Sequence, residues 1–327
     1  MTLETLRHSL FDFELETARA AVLDAFAPDA LIQLAHPFET LAGPEALFDD
    51  VLTALHKAWP DLERRETIVI EGDSGAGHWV GCCGYYTGGF QRPWLGIPPT
   101  GHHVSMRFHE FFRLEAGKIV EMQALWDLPE VMMQAGVWPM SPSLGREWHV
   151  PGPATQDGLR VSGDGSAAMQ VVVDMVEGLG RFAEGGAEAM DLPRFWHPKC
   201  SWYGPSGIGT ARGISGFRNW HQIPFLRAMP NRWADIDTGH LFAQGDYVGF
   251  TAWPGMHAQI SDDGWLGIAP SGQEVTIRSL DFWRVENGLI RENWVLVDLL
   301  HVYAQIGVDV LARMREMAKP RTGALED

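Results

Sequence analysis

The sequence predicts a duplicated α+β protein, in which two copies of one domain each pack helices on a curved antiparallel sheet. Three observations indicate this: a long internal repeat, the same order of helical and strand patterns in both halves, and a Pro/Gly/Ser-rich segment between them. Residues 94–128 match residues 265–299 without a gap, 171 positions apart, and nearly half of the positions are identical. Solenoid repeats have periods of roughly 20 to 50 residues, so this period indicates a duplicated domain.

Within each half, helical patterns come first and strand patterns follow. Helical periodicity is found in four segments, two in each half: residues 3–25, 44–59, 167–185 and 213–229. In residues 104–114 apolar and polar side chains alternate with the period of two that belongs to a strand. Gly117 and Gly288 mark hairpin turns, after which the last strands are predicted over residues 119–128 and 290–299. Helices followed by a curved sheet predict a cone with the helices closing one face.

The segment between the repeats sets the predicted domain boundaries. It is rich in Pro, Gly and Ser and has no sustained periodicity, as is typical of a linker. We therefore predict a first domain over residues 1–140, a linker over 141–165 and a second domain over 166–327. The two domains are expected to pack against each other as an intrachain pseudo-dimer, and further self-association of that unit is left open.

Composition excludes several classes of partner and site. The formal net charge is −17, which repels phosphate backbones and anionic membrane surfaces and predicts no nucleic-acid or membrane partner. The three cysteines have neither a disulfide-framework spacing nor a zinc-ligand spacing, so no metal site is predicted. The N-terminal segment is an amphipathic helix in pattern and carries acidic residues, unlike a signal peptide. The expected location is the cytoplasm.

Asp127 and its repeat partner Asp298 are the main candidate functional residues. Each lies in a run of Leu, Trp, Val and Met, where burial would raise the pKa of a carboxyl above about 3.9 and strengthen it as a base. Asp127 shares a strand face with Gln123, because the two are an even number of residues apart, and that face is expected to point into the cone. The alternative is structural: in the stretch after Asp127, Pro129 and Glu130 are typical of a helix start, which makes the aspartate an N-cap.

The motifs of both halves resemble one known family. The run "LGIPPTG", the pattern F-R-x-E-x-G-K-I-x-E, an Asp six residues after that Glu, and "QAGV" are similar to SnoaL-like polyketide and ester cyclases of the nuclear-transport-factor-2-like (NTF2-like) superfamily. The second half repeats the pattern as "LGIAPSG", "FWRVENGLIRE" and "QIGV". The resemblance implies two NTF2-like cone domains. It also implies a cofactor-free intramolecular aldol closure of a small apolar carbonyl compound, although the superfamily includes isomerases, dehydratases, hydrolases and binding proteins.

The same resemblance assigns roles to residues. It implies that Asp127 and Asp298 are the acid/base groups that take a proton from carbon and return it to the new alkoxide. A family segment with a histidine on an earlier strand corresponds to His257 in the second half and to Tyr86 in the first, and either side chain could hydrogen-bond an enolate oxygen. His36 is the candidate for a further polar residue after the first helices.

Aromatic side chains and one polar one are the predicted walls of the substrate chamber. There are 14 tryptophans, whose alternative role is core packing. The predicted pocket residues are Gln123, Trp126, Trp294, Trp94, Trp265, Trp202 and Tyr203. Arg107 and Arg278 also recur, and we expect them to pair with glutamates of the neighbouring strand, Glu121 and Glu292, because a sheet arginine commonly does so.

Overall fold

A computed structural model describes residues 3–75, 77–235 and 238–319, so the outermost residues of the predicted domains lie outside it. The α-helices are α1 Leu3–Phe11, α2 Leu15–Ala25, α3 Gly43–Ala46, α4 Thr53–Ala58, α5 Leu128–Gln134, α6 Ser166–Leu179, α7 Phe182–Ala189, α8 Leu192–Phe195, α9 Gly213–Phe217, α10 Ile223–Ala228, α11 Leu299–Gln305 and α12 Val310–Met317, with π-helical turns at Leu47–Leu52 and Arg218–Gln222. The strands are β1 Phe26–Leu34, β2 Glu39–Leu41, β3 Glu63–Ser74, β4 Gly77–Gly89, β5 His103–Glu115, β6 Lys118–Trp126, β7 Trp196–Tyr203, β8 Thr210–Arg212, β9 Trp233–Ala234, β10 Gly239–Gln244, β11 Tyr247–Ala252, β12 Met256–Gln259, β13 Glu274–Ile277, β14 Ser279–Glu286 and β15 Leu289–Val297.

The two halves have the same sheet topology. The first sheet has the order β2-β1-β6-β5-β4-β3 and the second β8-β7-β15-β14-β11-β10. Neighbouring strands are antiparallel except β1/β6 and the corresponding pair β7/β15, which are parallel. In the second half, strand β11 ends at Ala252, and β12 continues in a small separate sheet with β13 and β9. The predicted α+β class and the tandem arrangement are confirmed.

Each sheet is buried on both faces. In β5, Met106 and Phe108 point towards the helices of their own domain and join its cone core. Phe111, of opposite parity, belongs to a second apolar cluster that includes residues of both domains. The two sheets therefore pack against each other through their outer faces, and the helices cover the inner faces.

An approximate two-fold axis passes through this interface. Phe111 and Phe282 are repeat partners, 171 residues apart, and their rings stack on each other at 4.9 Å. Gly81 and Gly249 stand opposite these phenylalanines in the register. A Cβ atom on Gly81 would lie 2.8 Å from the Phe111 ring and 3.0 Å from the Phe282 ring, so only glycine allows the sheets to approach this closely.

Hairpins and caps follow the sequence signals. Ala116 and Gly117 both have positive φ, 48° and 79°, as the two-residue turn between β5 and β6 requires. Residues 135–165, all of them described, contain turns and isolated bridges but no regular helix or strand. Among the described residues, no helix has the length and apolar character needed to cross a bilayer.

Candidate active site

Asp127 and Asp298 are helix caps, as the structural alternative predicted. One carboxylate oxygen of Asp127 accepts the Glu130 N–H at 3.2 Å, at the start of α5. Asp298 accepts the His301 N–H at 3.1 Å, at the start of α11. Both carboxyl groups are buried, with 4% and 5% exposure.

The second oxygen of each aspartate reaches into the other domain. Oδ2 of Asp127 accepts the Ser206 N–H at 2.9 Å, and Oδ2 of Asp298 accepts the His36 N–H at 2.9 Å. The two contacts are related by the approximate two-fold axis. Each repeated aspartate therefore joins a helix of its own domain to a loop of the other, and we name the two together the aspartate pair.

The space beside the aspartate pair is small. A crevice of about 10 Å³ is lined by Asp127, Asp298 and His36, which is room for about one water molecule. Burial raises the pKa of Asp127 to about 6, although Arg107 lies 3.6 Å away and opposes the rise. Burial likewise raises the pKa of Asp298. Burial therefore raises the pKa of both carboxyls, but they face a domain interface and not a chamber.

The face of β6 that carries Asp127 was expected to line the cone, and this orientation is wrong. Gln123 accepts a hydrogen bond from the Thr251 hydroxyl of the second domain at 2.7 Å. Trp294 and Tyr203 also lie in the apolar cluster between the domains. The indole of Trp294 donates to the Pro151 carbonyl at 2.9 Å. These three predicted pocket residues therefore stabilise the interface.

The remaining predicted pocket residues do lie in the cones. Trp94 and Trp126 belong to the core of the first cone, and Trp202 and Trp265 to that of the second. Tyr86 also points into the first cone. The structure therefore brings Tyr86 together with Trp126 but not with Asp127 or His36.

His257 does not occupy the position of Tyr86. In the first domain Tyr86 pairs with Met106, whereas the repeat partner of Met106, Ile277, pairs with Met256. Met256 is therefore the structural counterpart of Tyr86, and His257 is displaced by one residue to the other face of the strand. His257 stacks on Trp233 at 4.1 Å, at the outside of the small sheet.

The recurring arginines do not pair as predicted. The glutamates expected as their partners are bound by other arginines, Arg113 and Arg284. Arg107 instead reaches across the interface and donates to the carbonyl oxygens of Tyr203 and Gly204 at 3.2 and 2.6 Å. It holds the domains together through main-chain atoms.

A different carboxylate, Glu110, lies inside the first cone, and four donors saturate it. Arg64 donates from Nη2 and Nε to one oxygen, at 2.7 and 3.0 Å. The Tyr86 hydroxyl and the Trp126 indole donate to the other oxygen, both at 3.0 Å. Glu110 and Arg64 are each 1% exposed. These four hydrogen bonds occupy both oxygens of Glu110, so the carboxylate is not free to contact a substrate.

The repeat partner of Glu110 is Asp281, inside the second cone. It is 8% exposed and accepts a hydrogen bond from the Ser279 hydroxyl at 2.7 Å. Burial raises the pKa of its carboxyl to about 7, while Ser279 and Asn293 moderate the rise. No arginine, lysine or histidine of the described ranges forms an ion pair with it.

The two cones differ because the partners of the acid have changed. The register places Ala234 where the first domain has Arg64, since it pairs with Met256 as Arg64 pairs with Tyr86. The indole donor is also lost, because Val297 is the repeat partner of that tryptophan. The positions of the cation, the phenol and the indole are thus taken by apolar residues in the second domain, Ala234, Met256 and Val297.

The second cone is also less tightly closed. Met256 is half-buried, whereas its counterpart Tyr86 is 1% exposed. Phe250, which lies beside Asp281 in the register, is half-buried as well. A surface groove of about 770 Å³ lies at this domain, between α10 and the loop that carries Trp265.

A row of aromatic rings runs from this groove into the cone. Trp265 lies 5.8 Å from Phe225, Phe225 lies 5.7 Å from His221, and His221 stacks on Trp202 at 3.9 Å. Trp202 is the strand neighbour of Asn293, whose amide donates to the Phe282 carbonyl at 3.0 Å and opposes the rise in the pKa of Asp281. The row ends at Trp202 on β7, and β15, which carries Asn293, lies between β7 and the strand of Asp281.

His221 adds a polar group to this row. Burial lowers the pKa of its imidazole to about 3, so the ring is neutral. Its Nδ1 atom is buried and has no hydrogen-bond partner within the part of the chain that the structure describes. A neutral imidazole of this kind can hydrogen-bond a substrate oxygen without an ionic charge.

Sequence reasoning missed Glu110 and Asp281, although a signal was present. Both copies have an acid at the same repeat position, and Glu110 has the strand parity of Val104, Met106 and Phe108. A carboxylate that recurs on the apolar face of a strand is less common than one at a helix start, where Asp is a preferred N-cap. The parity alone did not reveal which strand face lines the cone.

Comparison with known proteins identifies the family. The sequence model of the SnoaL-like polyketide cyclases matches residues 12–135 and 178–306. A search of curated proteins found no match. Similar solved structures include a Jannaschia sp. CCS1 protein whose name assigns it to the SnoaL-like polyketide cyclases (27% identity, 40% of this chain and 88% of that one, TM-score 0.34).

Two further solved structures are similar to single domains of the chain. One is an NTF2-like protein of Burkholderia thailandensis E264, with 22% identity over 42% of this chain and 98% of that one and a TM-score of 0.32. The other is a SnoaL-like polyketide cyclase of Agrobacterium tumefaciens C58, with 17% identity over 41% and 98% and a TM-score of 0.32. Since the family's sequence model matches both halves and most of the chain, this protein belongs to the SnoaL-like polyketide cyclase family, as a tandem of two NTF2-like domains.

Proposed function

We propose that this chain is an acid/base enzyme of the cyclase type, which closes a ring in a small apolar carbonyl compound, and that Asp281 in the second cone is its acid/base group. One observation carries the proposal. Asp281 is a carboxyl group in an apolar cone, with no ionic partner among the described residues and with a pKa of about 7. A group with this pKa can both accept and donate a proton near neutral pH.

The proposed reaction is an intramolecular aldol addition. The Asp281 carboxylate takes a proton from a carbon flanked by two carbonyls, which leaves an enolate. The enolate carbon attacks a ketone carbon of the same molecule, and the protonated carboxyl returns its proton to the new alkoxide. No atom is gained or lost, so no cofactor is required. General acid/base catalysis of this kind contributes about 10²- to 10⁴-fold.

Binding in this proposal comes from the aromatic row. Phe225 is half-buried and could offer an apolar ring to a conjugated or ring-forming substrate, while the buried Trp202 supports His221 by stacking on it. The unpartnered Nδ1 of His221 could bind the enolate oxygen or a carbonyl oxygen. Holding the chain in a folded conformer would bring the reacting carbons together, which is a large part of the rate enhancement for intramolecular reactions.

The test uses an apolar 1,3-diketone in D₂O and follows exchange of its acidic C–H by NMR. The first step alone is sufficient for exchange, so the natural substrate need not be known. We expect the protein to accelerate exchange. Asp281→Asn, which cannot accept the proton, should lower the protein-dependent rate by about 10²-fold or more. Asp73→Asn, on an exposed side chain, is the matched control and should leave the rate unchanged.

Asp127→Asn decides between this proposal and the family-based assignment of the base. If Asp127→Asn abolishes exchange while Asp281→Asn retains it, the base belongs to the aspartate pair and the cone assignment fails. If the unmodified protein does not accelerate exchange of any 1,3-dicarbonyl probe, the proposal of acid/base chemistry on such carbons is refuted.

A further inference from the structure

We propose that His36, Glu39 and His301 form a binding site for one divalent transition-metal ion of the Zn²⁺ class at the domain interface. Two of the ligands come from the first domain and one from the second. The site lies beside Asp298 and outside both cones. It is therefore independent of the acid/base chemistry proposed for Asp281.

The geometry of the three side chains suits a small tetrahedral ion. Their ligand atoms all lie within 4.8 Å of one another. Nδ1 of His36 is 3.0 Å from Oε1 of Glu39, and Nδ1 of His301 is 3.4 Å from the same oxygen. Zinc bonds to imidazole and carboxylate are about 2.0–2.1 Å, so neighbouring ligand atoms of a tetrahedral site lie about 3.3 Å apart. Two imidazoles and one carboxylate are a common zinc donor set.

The hydrogen bonds around His301 favour the tautomer that a metal requires. The Thr276 hydroxyl lies 3.1 Å from the Gln305 side-chain oxygen, to which it must donate. Its own oxygen is then free to accept from Nε2–H of His301, 3.3 Å away. This arrangement leaves Nδ1 of a neutral ring unprotonated and directed at a carboxylate oxygen. Two acceptors that face each other at 3.4 Å are stabilised by a cation bound between them.

A second set of contacts holds Glu39 for binding through one oxygen. Arg278 donates to Oε2 of Glu39 at 2.5 Å and to Asp298 at 3.2 Å. Oε1, which faces both histidines, is left for the ion. Asp298 also accepts the main-chain N–H of His36, so it fixes the segment that carries that ligand. Such outer contacts orient metal ligands and raise affinity.

The site is expected once per chain, because the two-fold related position differs. There, Glu130 takes the place of His301 in the repeat, and Ser206 provides the N–H that His36 provides here. Glu147 of the linker covers that position and accepts the Ser206 hydroxyl at 3.0 Å. The proposed site remains accessible, since the side chains of His36 and Glu39 are 27% and 39% exposed.

The experiment titrates Zn²⁺ into untagged, chelator-treated full-length protein by calorimetry, and repeats the titration with Co²⁺ while the visible absorption is recorded. We expect one equivalent to bind. His301→Gln and His36→Gln should each weaken binding at least about tenfold. His78→Gln is the matched control, because His78 is a surface histidine beside two carboxylates, Asp73 and Glu71. It should bind like the unmodified protein.

Thermal unfolding gives a readout that does not depend on the variants. Because the ligands come from both domains, Zn²⁺ should raise the midpoint of unfolding of the unmodified protein, and a chelator should reverse the rise. The proposal is overturned if the unmodified protein binds no equivalent of either ion. It is also overturned if binding is unaffected by both ligand substitutions, or falls equally in His78→Gln.

Discussion

The first and second cones each contain a buried acid at the same repeat position, Glu110 and Asp281, but the partners of the two acids differ. Glu110 is paired with a buried arginine and receives an additional phenol and indole donor. Asp281 accepts a hydrogen bond from the Ser279 hydroxyl, and the Asn293 amide also favours its charged form. Burial nevertheless raises the pKa of Asp281 to about 7. After duplication the two cones therefore differ in the surroundings of one position: the first has a buried ion pair there, and the second has a buried carboxyl without an ionic partner among the described residues.

The largest expected effect comes from removing the cation of the first cone. Arg64→Met should lower the free energy of unfolding by about 3–5 kcal/mol, because Glu110 would be left buried without a counter-charge, while Glu66 keeps its ion pair with Arg7. The measurement is the midpoint of thermal or urea unfolding. Arg65→Met is the matched control: Arg65 is the next residue, its side chain is 61% exposed, and its loss should change stability by about 0.5 kcal/mol at most. Equal midpoints for the two variants would show that the first cone does not depend on its buried ion pair, and the contrast with the second cone would then be lost.

The second prediction contrasts the two acids through their pH dependence. The pKa of Asp281 is about 7 in the folded chain and near the ordinary 3.8 when unfolded, so between these values the folded state binds more protons. Stability due to this group is therefore lost as the pH rises from about 4 to about 7. Asparagine does not ionise, so Asp281→Asn avoids this loss of stability. At pH 8 the variant should be more stable than the unmodified chain by on the order of 3 kcal/mol.

That stabilisation should shrink towards zero near pH 4, and urea unfolding of both proteins across this range measures it. Glu110→Gln should behave oppositely and destabilise the protein at neutral pH, because Arg64 would lose one of its two carboxylate partners and keep only Glu66. A destabilising Asp281→Asn at pH 8 would contradict the neutral-acid description of the second cone.

The smallest expected effect concerns the aspartate pair, where the domains are alike. Asn in place of Asp127 or Asp298 keeps one acceptor oxygen for two main-chain donors, so one buried N–H is left unpaired. Each substitution should cost about 1–3 kcal/mol, and the two costs should be similar. Chemical unfolding of both variants measures this. A much larger loss of stability at one position would show that the two aspartates are not equivalent, although their main-chain hydrogen bonds match.

The repeat predicted the fold because a period of 171 residues with matching strand ends leaves few alternatives to a duplicated α+β domain. The turn at Ala116 and Gly117 and the cap at Asp127 were predictable because they depend on local backbone conformation. Which face of β6 lines the cone was not. Met122 and Leu125 are apolar residues on opposite faces, since the strand is covered by helices on one side and by a second sheet on the other.

The position of His257 could not be read from spacing either. Between Phe250, beside Asp281, and Met256, the second domain has two residues more than the first domain has between Cys82 and Tyr86. The ungapped alignment therefore matched residues that point to opposite sides. The loss of the cation at Ala234 depends on the same long-range pairing, which no local pattern encodes.

The linker makes association of the two sheets an event within one molecule. For a pair joined by a short tether, the effective concentration is on the order of millimolar, so dilution to assay conditions does not separate the halves. A mutation in the shared face that would dissociate a two-chain assembly should therefore leave the two sheets of this chain associated, with a smaller loss of stability. Covalent continuity between residues 135 and 166 thus gives each half the freedom to specialise independently.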